Sequence, residues 1–503
     1  MSKVKIGWSE IDITPKKGVK IGLAGQFFER ITDEVESPLK IVSMAIESGN
    51  DQVIFAACDL VSVANNLCDL VKENLKDKLP ISPDKVIISA IHTHTSYTYT
   101  RKGALAKKLK GTMQTFANYL QQVLPPDMAY EPLVSGEECM SDEDALAFLV
   151  EKISESVIQA WNNRKPAFYQ NAFGRAVVGM NRRVCYDDGS AKMWGDTNLA
   201  NFDALEAGND SGIELIYTFD ENKELTGVVA NIACPAQVVE HRSYISSDYW
   251  GKVRENLEKK FGRKIFVLGL CSAAGDQCPR DMIRWVNPET PIDDPNIKRE
   301  KYFERRADPS MFDVSGLKLV GKRISNEIIN VFEELGDDYK DEGLLIHETI
   351  ELSLPLRRVT ISDYNNAIEA IDRFIEKNRG RKVSFEDSAA MHVHSGTIAR
   401  YKEQQVIDTI EIEVHFLRFG DVAFATNPFE LFLDYGNQIR ARSKAKQTFL
   451  IQLCCGTAGY LPTKKAQEGS HYSAYVSSGT TDYKGGDILV RTTLEHINDM
   501  FKA

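Results

Sequence analysis

The sequence predicts an α/β protein with mixed β-sheets and flanking helices. The first observation is a series of short apolar, β-branched runs, which are typical of buried strands. In the first half of the chain these runs are at 53–58, 85–91, 213–219, 226–233 and 264–270. The second observation is that segments with helically spaced apolar residues lie among them, at 249–261 and 314–335. Because strand-like and helix-like segments alternate, we expect helices to cover the sheet faces.

Two segments of the first half interrupt this alternation. Residues 101–143 have a basic start, the pair Pro125-Pro126 and an acidic end, which predicts an inserted lid over the site. Ser141 then caps a helix whose apolar face continues to Trp161. The charged stretch 284–313 is typical of a surface loop.

A second series of strands and helices begins near residue 347. It comprises a strand at 347–354, a helix at 361–379, a hairpin at 409–426 that turns at Gly420-Asp421, a helix at 429–443 and a strand at 448–453. A chain of 503 residues exceeds the usual size of a single core. We therefore expect one domain with two lobes, at about 1–340 and 341–503.

Composition and charge exclude several classes of function. The net charge of −11 and the pI near 5.5 argue against binding to nucleic acid or to an anionic membrane surface. No apolar run approaches the roughly 20 residues that a membrane span needs. Residues 1–8 lack the apolar core of a signal peptide, so we expect a cytoplasmic location. The nine cysteines are an odd number without framework spacing, which indicates reduced thiols.

Histidine is scarce, yet two of the nine histidines lie one residue apart directly after the strand at 85–91. In an extended backbone His92 and His94 would point to the same face. They would then converge at a strand end, where one can bind a metal ion and the other can transfer a proton. The alternative is a hydrogen-bonded pair in a solvated loop.

Unusual polar clusters follow several predicted strands. They are at 92–94, 234–237, 271–280, 427–430 and 454–460. Loops at the carboxyl ends of strands build the binding sites of many α/β proteins. Five such clusters therefore predict a shared cleft.

Short motifs within and around these clusters occur in a distinctive order. They are Asp12-Ile13-Thr14-Pro15, His92-Thr93-His94-Thr95, Asn181-Arg182, Ile245-Ser246-Ser247-Asp248, the segment 275–280, Pro428-Phe429-Glu430, and Gly459-Tyr460 followed by Tyr472. The ordered set resembles the catalytic domain of the neutral (non-lysosomal, neutral/alkaline) ceramidases, which are zinc-dependent amide hydrolases. The resemblance runs from residue 7 to about 475 and implies a ceramidase-like α/β domain.

The resemblance also implies roles for individual residues. His92, Glu430 and Tyr460 would be ligands of one zinc ion per chain, and such a donor set suits Zn²⁺. His94 would handle the proton. Arg182 and Tyr472 would hold or polarise an oxygen of the substrate.

Two positions depart from the family's pattern. The family's second zinc-binding histidine falls on Cys234, whose thiolate can also bind zinc. His241 is a substitute for Cys234, and loss of the metal is a third alternative. The family's motif serine falls on Cys278, which is either a structural loop residue or a hydrogen-bonding member of the catalytic site. The chain also ends before the family's C-terminal immunoglobulin-like domain.

The resulting functional prediction is a zinc-dependent hydrolase of an amide or related acyl bond. The altered pocket mouth after Thr95 and the lack of a leader and of the accessory domain predict a substrate other than ceramide. We expect a small molecule derived from a lipid or a sugar, such as a smaller polar amide. Two alternatives stay open: a metal-assisted lyase or hydrolase that acts on a sugar derivative, and a non-catalytic ligand-binding descendant. The sequence does not predict the oligomeric state.

Three other polar positions are predicted to be structural. Asp59 follows the strand at 53–58 and is predicted to cap a turn or to support the site. His415 lies within a strand, which predicts a hydrogen-bonded core residue. The adjacent pair Cys454-Cys455 is predicted to be part of the core, because adjacent cysteines form disulfides only with strain.

Overall fold

The computed structural model describes residues 3–26, 29–99, 123–128, 138–284 and 314–502. Most of the predicted insertion at 101–143, and all but one residue of the predicted loop at 284–313, lie outside the described residues. The predicted fold class is confirmed, because the chain forms mixed β-sheets with flanking helices.

Three main sheets form the framework. The first sheet has five strands in the spatial order Val86–Ala90, Asp51–Cys58, Lys40–Ser48, Lys5–Asp12 and Lys165–Pro166. The second has the order Phe266–Cys271, Leu225–Ile232, Gly212–Phe219 and Phe168–Arg175. The third has the order Leu345–Pro355, Thr409–Phe419, Val422–Thr426 and Gln447–Ile451. Each sheet is antiparallel except for one parallel pair at its edge.

Smaller strand pairs and turns connect these sheets. The strand Arg183–Tyr186 lies between Ala191–Met193 and Phe202–Leu205. Three two-stranded pairs are Met180–Asn181 with Gln277–Cys278, Ile21–Gly22 with Ile31–Thr32, and Glu430–Leu431 with Tyr460–Leu461. Short 3-10 turns are at Pro83–Lys85, Pro126–Met128 and Val476–Ser478.

Helices cover the outer face of each main sheet. Helices Asn65–Leu75 and Asp142–Asn162 pack on the first sheet, and Tyr249–Phe261 and Val314–Glu333 pack on the second. Leu433–Arg442 and Tyr483–Met500 pack on the third. The described chain also contains the helices Ile361–Lys377 and Phe385–Glu403, which pack on each other, and the short helix Lys464–Gly469.

The inner faces of the three sheets share one central core. Trp8 of the first sheet stacks on Phe266 of the second, with ring centroids 5.6 Å apart. Phe55 of the first sheet packs on Phe424 of the third at 5.1 Å. Strands with both faces covered need apolar residues at nearly every position, which explains why their sequences form continuous apolar runs rather than alternating ones.

One predicted helix begins later than expected, and two long helices were not predicted. The helix expected at 429–443 begins only at Leu433, because Glu430 and Leu431 form a short parallel pairing with Tyr460 and Leu461. The helices Phe385–Glu403 and Tyr483–Met500 were not predicted.

Among the helices of the described ranges, none combines the length and the apolar character that crossing a membrane requires.

The parallel edge pairs bring their carboxyl ends to one place. The backbone N–H of Ala90, at the end of the first sheet's edge strand, donates to Leu453 O of the segment that follows the third sheet. Ser272 N donates to Ile232 O, and Gln452 N donates to Cys271 O, which ties the second sheet to the third. The segments that follow these strands therefore lie side by side at the centre of the molecule, as the polar clusters in the sequence predict.

Candidate metal centre and active site

His92 and His94 lie just beyond the strand Val86–Ala90, and their rings face each other. The His92 backbone has a left-handed φ of 73°, a conformation that is uncommon outside glycine. The ring centroids are 4.8 Å apart and nearly perpendicular, and the two Nε2 atoms are 3.2 Å apart. The rings converge, but the turn at His92 rather than an extended strand brings them together.

The orientation of the His92 ring leaves Nε2 available as a ligand. His92 Nδ1 lies 2.7 Å from Val61 O. Because a carbonyl oxygen can only accept, Nδ1 carries the proton and Nε2 of the neutral ring carries the lone pair. Metal-binding histidines typically have this arrangement, with the second ring nitrogen donating to a carbonyl or carboxylate. His92 Nε2 points toward Glu430 Oε2 at 3.5 Å.

Glu430 and Tyr460 are brought together by the short parallel pairing of their strands. They are register partners, and Glu430 N donates to Gly459 O at 2.9 Å. Gly275 permits this packing, because a Cβ atom at that position would lie 2.3 Å from Glu430 O. The ring of Tyr472 meets that of Tyr460 edge-on, with centroids 5.6 Å apart. Burial raises the pKa of Tyr472 to about 12, so its hydroxyl is protonated at neutral pH.

Arg182 is a buried cation beside this pair. Its guanidinium donates to Gln237 Oε1 and to Gly275 O, each at 3.0 Å, and Nη2 lies 3.5 Å from the hydroxyl of Tyr460. The side chain is 3% exposed. A fixed guanidinium in such a position can stabilise negative charge that develops on a nearby oxygen.

Glu240 was not predicted from the sequence, and the structure places it against His94. Glu240 Oε2 lies 3.6 Å from His94 Nδ1 and accepts a hydrogen bond from Gln237 Nε2 at 2.7 Å. Gln237 thus links Glu240 to Arg182. Burial, followed by the neighbouring His92, holds the pKa of His94 well below its usual value. The only signal in the sequence was that Glu240 falls between two residues already under consideration, Gln237 and His241.

Cys234 and His241 are the two alternative metal ligands that the family resemblance implies. The Cys234 thiol is buried and donates to Val178 O and Pro235 O, at 3.5 and 3.6 Å. His241 Nε2 lies 3.3 Å from Glu240 Oε1. In the part of the chain that the structure describes, neither residue forms a three-ligand group with His92 and Glu430. The role of Cys234 as a metal ligand, with His241 as its substitute, stays a prediction.

Cys278 is a buried neighbour of Arg182 rather than an exposed nucleophile. It lies in the two-residue strand that pairs with Met180–Asn181, and its Sγ donates to Arg280 O at 3.3 Å. Burial raises the pKa of the thiol to about 12. A thiol with this pKa is protonated at neutral pH, which favours a hydrogen-bonding role over a nucleophilic one.

This chain resembles known proteins in its structure rather than in its sequence. None of the family models and none of the curated proteins with which the sequence was compared matches it. The crystal structure of neutral ceramidase from Pseudomonas aeruginosa superposes with a TM-score of 0.66 at 15% identity, covering 99% of this chain and 75% of that one. A ceramidase complexed with C2 superposes with a TM-score of 0.65 at 13% identity, covering 100% and 76%.

The chain has the fold of the neutral ceramidases. At these identities the likeness concerns the fold, and a shared fold can support different reactions. The ceramidase-like fold nevertheless places together six of the residues singled out from the sequence. They are His92, His94, Arg182, Glu430, Tyr460 and Tyr472.

The residue types that meet around His92 fit a zinc ion. Imidazole nitrogen, carboxylate oxygen and phenol oxygen are ligand types that zinc and similar divalent ions accept. His94 Nδ1 is buried without a hydrogen-bond partner among the described residues. While His94 Nε2 donates to the lone pair of His92 Nε2, its Nδ1 carries no proton and cannot donate to Glu240. A cation on His92 would free His94 to place its proton on Nδ1, which would satisfy Glu240.

Proposed function

We propose that this chain is a metal-dependent hydrolase that cleaves an amide or a related acyl bond. The observation that carries the proposal is the convergence of His92 Nε2, Glu430 Oε2 and the Tyr460 hydroxyl beside a second histidine and a buried arginine. Zinc is the cofactor that this donor set favours. The ceramidase-like fold supports a hydrolase, and the low sequence identity leaves the substrate open.

The chain's own residues divide the chemistry among them. When bound, zinc would polarise the substrate carbonyl and increase the acidity of an attacking water molecule. His94 lies beside the ligand nitrogen of His92, where it can take a proton from the water and return it to the leaving group. Glu240 faces the opposite ring nitrogen and would accept its proton in a hydrogen bond once His92 binds the metal, which would hold the ring in place. Arg182 and the tyrosine hydroxyls would stabilise negative charge on the carbonyl oxygen.

We also propose that the substrate is a polar N-acyl or acyl compound rather than a long-chain ceramide. Glu240 and Glu430 are charged side chains that face the two histidines. Arg182 lies beside Glu430, and Arg30 donates to the backbone of His94. Such a centre offers hydrogen bonds and charge to a substrate close to the reacting bond. A panel of N-acyl compounds with short, polar and long acyl groups, including ceramides, tests this part of the proposal.

The first experiment measures the metal content and the turnover of the wild type beside four variants. We expect about one zinc per chain at this centre, lost in His92→Ala. Zinc lost also in Cys234→Ala would support a cysteine ligand, and zinc retained in it would remove Cys234 from the shell. His94→Ala should retain the metal and lose about 10²–10⁴-fold in kcat/KM. His496→Ala, a half-buried histidine that pairs with Glu348 and stacks on Phe416, is the matched control and should change neither quantity.

Several outcomes would contradict the proposal. They are no metal in the wild type after zinc is supplied, turnover that does not depend on His94, or release of an unsaturated product that absorbs in the near ultraviolet. The last result would assign the centre to a sugar lyase. Ligand binding without turnover across the panel would favour a non-catalytic binding protein.

A further inference from the structure

A second cluster of metal-ligating side chains lies apart from the His92 centre. Glu413 and His415 are two residues apart on the strand Thr409–Phe419, so their side chains lie on the same face. Cys455 belongs to the segment that follows the strand Gln447–Ile451. One ligand atom from each of the three lies within 4.8 Å of the other two. Within the described ranges, no other group of three histidine, cysteine or carboxylate side chains has its ligand atoms this close together.

The spacing of these atoms suits a tetrahedral cation. With zinc bonds of about 2.3 Å to sulfur and about 2.0–2.1 Å to nitrogen or oxygen, neighbouring ligand atoms lie about 3.3–3.8 Å apart. Cys455 Sγ is 3.4 Å from His415 Nε2. His415 Nε2 and Glu413 Oε1 are closer, at 2.8 Å, as expected for a hydrogen bond that a cation would replace.

A chain of hydrogen bonds sets the tautomer of His415. His347 Nδ1 lies 3.2 Å from Gln52 O and must be its donor, so His347 Nε2 is an acceptor in the neutral ring. His347 Nε2 lies 3.0 Å from His415 Nδ1, which is therefore the donor. Because Nδ1 donates to His347, Nε2 is the ligand atom that His415 would offer once the proton that it donates to Glu413 has left, and it is directed at Glu413 and Cys455, as in a metal-binding histidine.

The charges around the cluster can accommodate a divalent ion. Lys72 of the helix Asn65–Leu75 pairs with Glu413, with one Nζ–Oε distance of 2.6 Å. On binding, the Glu413 carboxylate and the Cys455 thiolate would together balance a divalent cation, and His415 would become neutral. Binding would form bonds to Nε2, the carboxylate and the sulfur, and would release to solvent the proton on His415 Nε2 and any proton on the Cys455 thiol.

We propose that Glu413, His415 and Cys455 bind a divalent, thiophilic cation of the zinc class. Thiolate and imidazole ligands select such ions over magnesium or calcium. The ion would join the third sheet to the helix Asn65–Leu75 through Glu413 and Lys72, so its role is structural. The proposal is independent of the function proposed for the His92 centre.

The test replaces the native metal of the full-length protein with Co²⁺, because a thiolate ligand gives Co²⁺ a charge-transfer band in the near ultraviolet. We expect this band in the wild type and in His92→Ala. Cys455→Ser should abolish the band and lower the bound metal by one ion per chain. Glu413→Gln changes a partly exposed side chain and should fold readily. It should weaken Co²⁺ binding by at least about tenfold. Cys185→Ser, a partly buried cysteine outside the cluster, is the matched control.

Two results would overturn the proposal. One is the absence of a charge-transfer band in the wild type at saturating Co²⁺, which would make the cluster a metal-free network of ion pairs. The other is a band that survives in Cys455→Ser and disappears in Cys234→Ser, which would place the thiolate ligand at the His92 centre. Loss of metal in His92→Ala bears only on the function proposed above. The two proposals can therefore fail separately.

Discussion

Replacement of Asp59 by asparagine should lower the free energy of unfolding by about 3 kcal/mol. The Asp59 carboxylate is fully buried and accepts two hydrogen bonds from Arg254, at 2.6 and 2.8 Å, and one from Lys40 N at 2.8 Å. Asparagine keeps the shape but removes the charge and turns one acceptor into a donor that faces the guanidinium. Breaking a buried ion pair costs about 3–5 kcal/mol. The Arg254 side chain is 13% exposed, so water can solvate it in part and the lower end applies.

A double-mutant cycle separates the ion pair from simple loss of packing. Arg254→Leu alone should also be costly, because it leaves the Asp59 carboxylate buried without a partner. The double variant Asp59→Asn with Arg254→Leu contains no buried charge, so its cost should be at least about 2 kcal/mol less than the sum of the two single costs. Urea unfolding followed by tryptophan fluorescence and by circular dichroism measures these energies where both probes report one transition.

The exposed pair between Arg263 and Glu224 provides the control for this cycle. Glu224→Gln should change the unfolding free energy by less than about 1 kcal/mol, because an exposed pair gains little from its charges. If the effects of the two Asp59 and Arg254 single variants added to within about 0.5 kcal/mol, the reasoning would be refuted. The pair would then contribute no more than two independent side chains.

Two further predictions concern a glycine beside the His92 centre and the acid stability of the second cluster. Gly25 has a φ of +91°, and a Cβ atom there would lie 2.4 Å from His94 Nδ1. Gly25→Ala should therefore displace the His94 ring and lower kcat/KM nearly as much as His94→Ala. Burial works to raise the pKa of Glu413, but hydrogen bonds and charge from His415 and Lys72 lower it to about 2. In metal-free protein the contribution of the Glu413 carboxylate to stability should be complete above the ordinary carboxyl pKa of about 4.3 and be lost as the pH falls toward 2. Glu413→Gln should therefore flatten that part of the acid unfolding curve.

Each of these predictions has a matched comparison. Gly18 has a φ of +85° with no atom within 4 Å of its would-be Cβ, so Gly18→Ala carries the same backbone strain without a contact. Equal activity losses in the two glycine variants would contradict the role of the His94 contact. For Glu413, an acid unfolding curve of the glutamine variant that overlays the wild type would show that the carboxylate has an ordinary pKa in the folded protein.

The sequence predicted the strands well where both of their faces are buried. The runs at 53–58 and 213–219 are almost continuously apolar, because one face meets the central core and the other meets helices. The helix Phe385–Glu403 was missed because its apolar residues do not gather on one face. Its usable signal was local: Ser384 and Asp387 form a capping box.

The sequence indicates those residues of the candidate site that belong to short motifs. It does not indicate residues that come together only when separate segments of the chain pack on each other. His92, Glu430 and Tyr460 follow short motifs that can be recognised in the chain. Glu240 belongs to no motif, and its contact with His94 arises from how the segment after the strand Leu225–Ile232 folds back. His415 was expected to be a hydrogen-bonded core residue, and its contact with Cys455 depends on how the segment after the strand Gln447–Ile451 packs on the strand Thr409–Phe419.

The meeting of the three sheets at one centre also determines when that centre forms during synthesis. His92 and Tyr460 are about 370 residues apart in the chain. At about 5–20 residues per second, roughly 20–75 s pass between their emergence from the ribosome. The centre stays incomplete during that interval, because Glu430 and Tyr460 have not yet been synthesised. A nascent chain therefore cannot assemble the centre early, and every truncated product that ends before residue 430 lacks it.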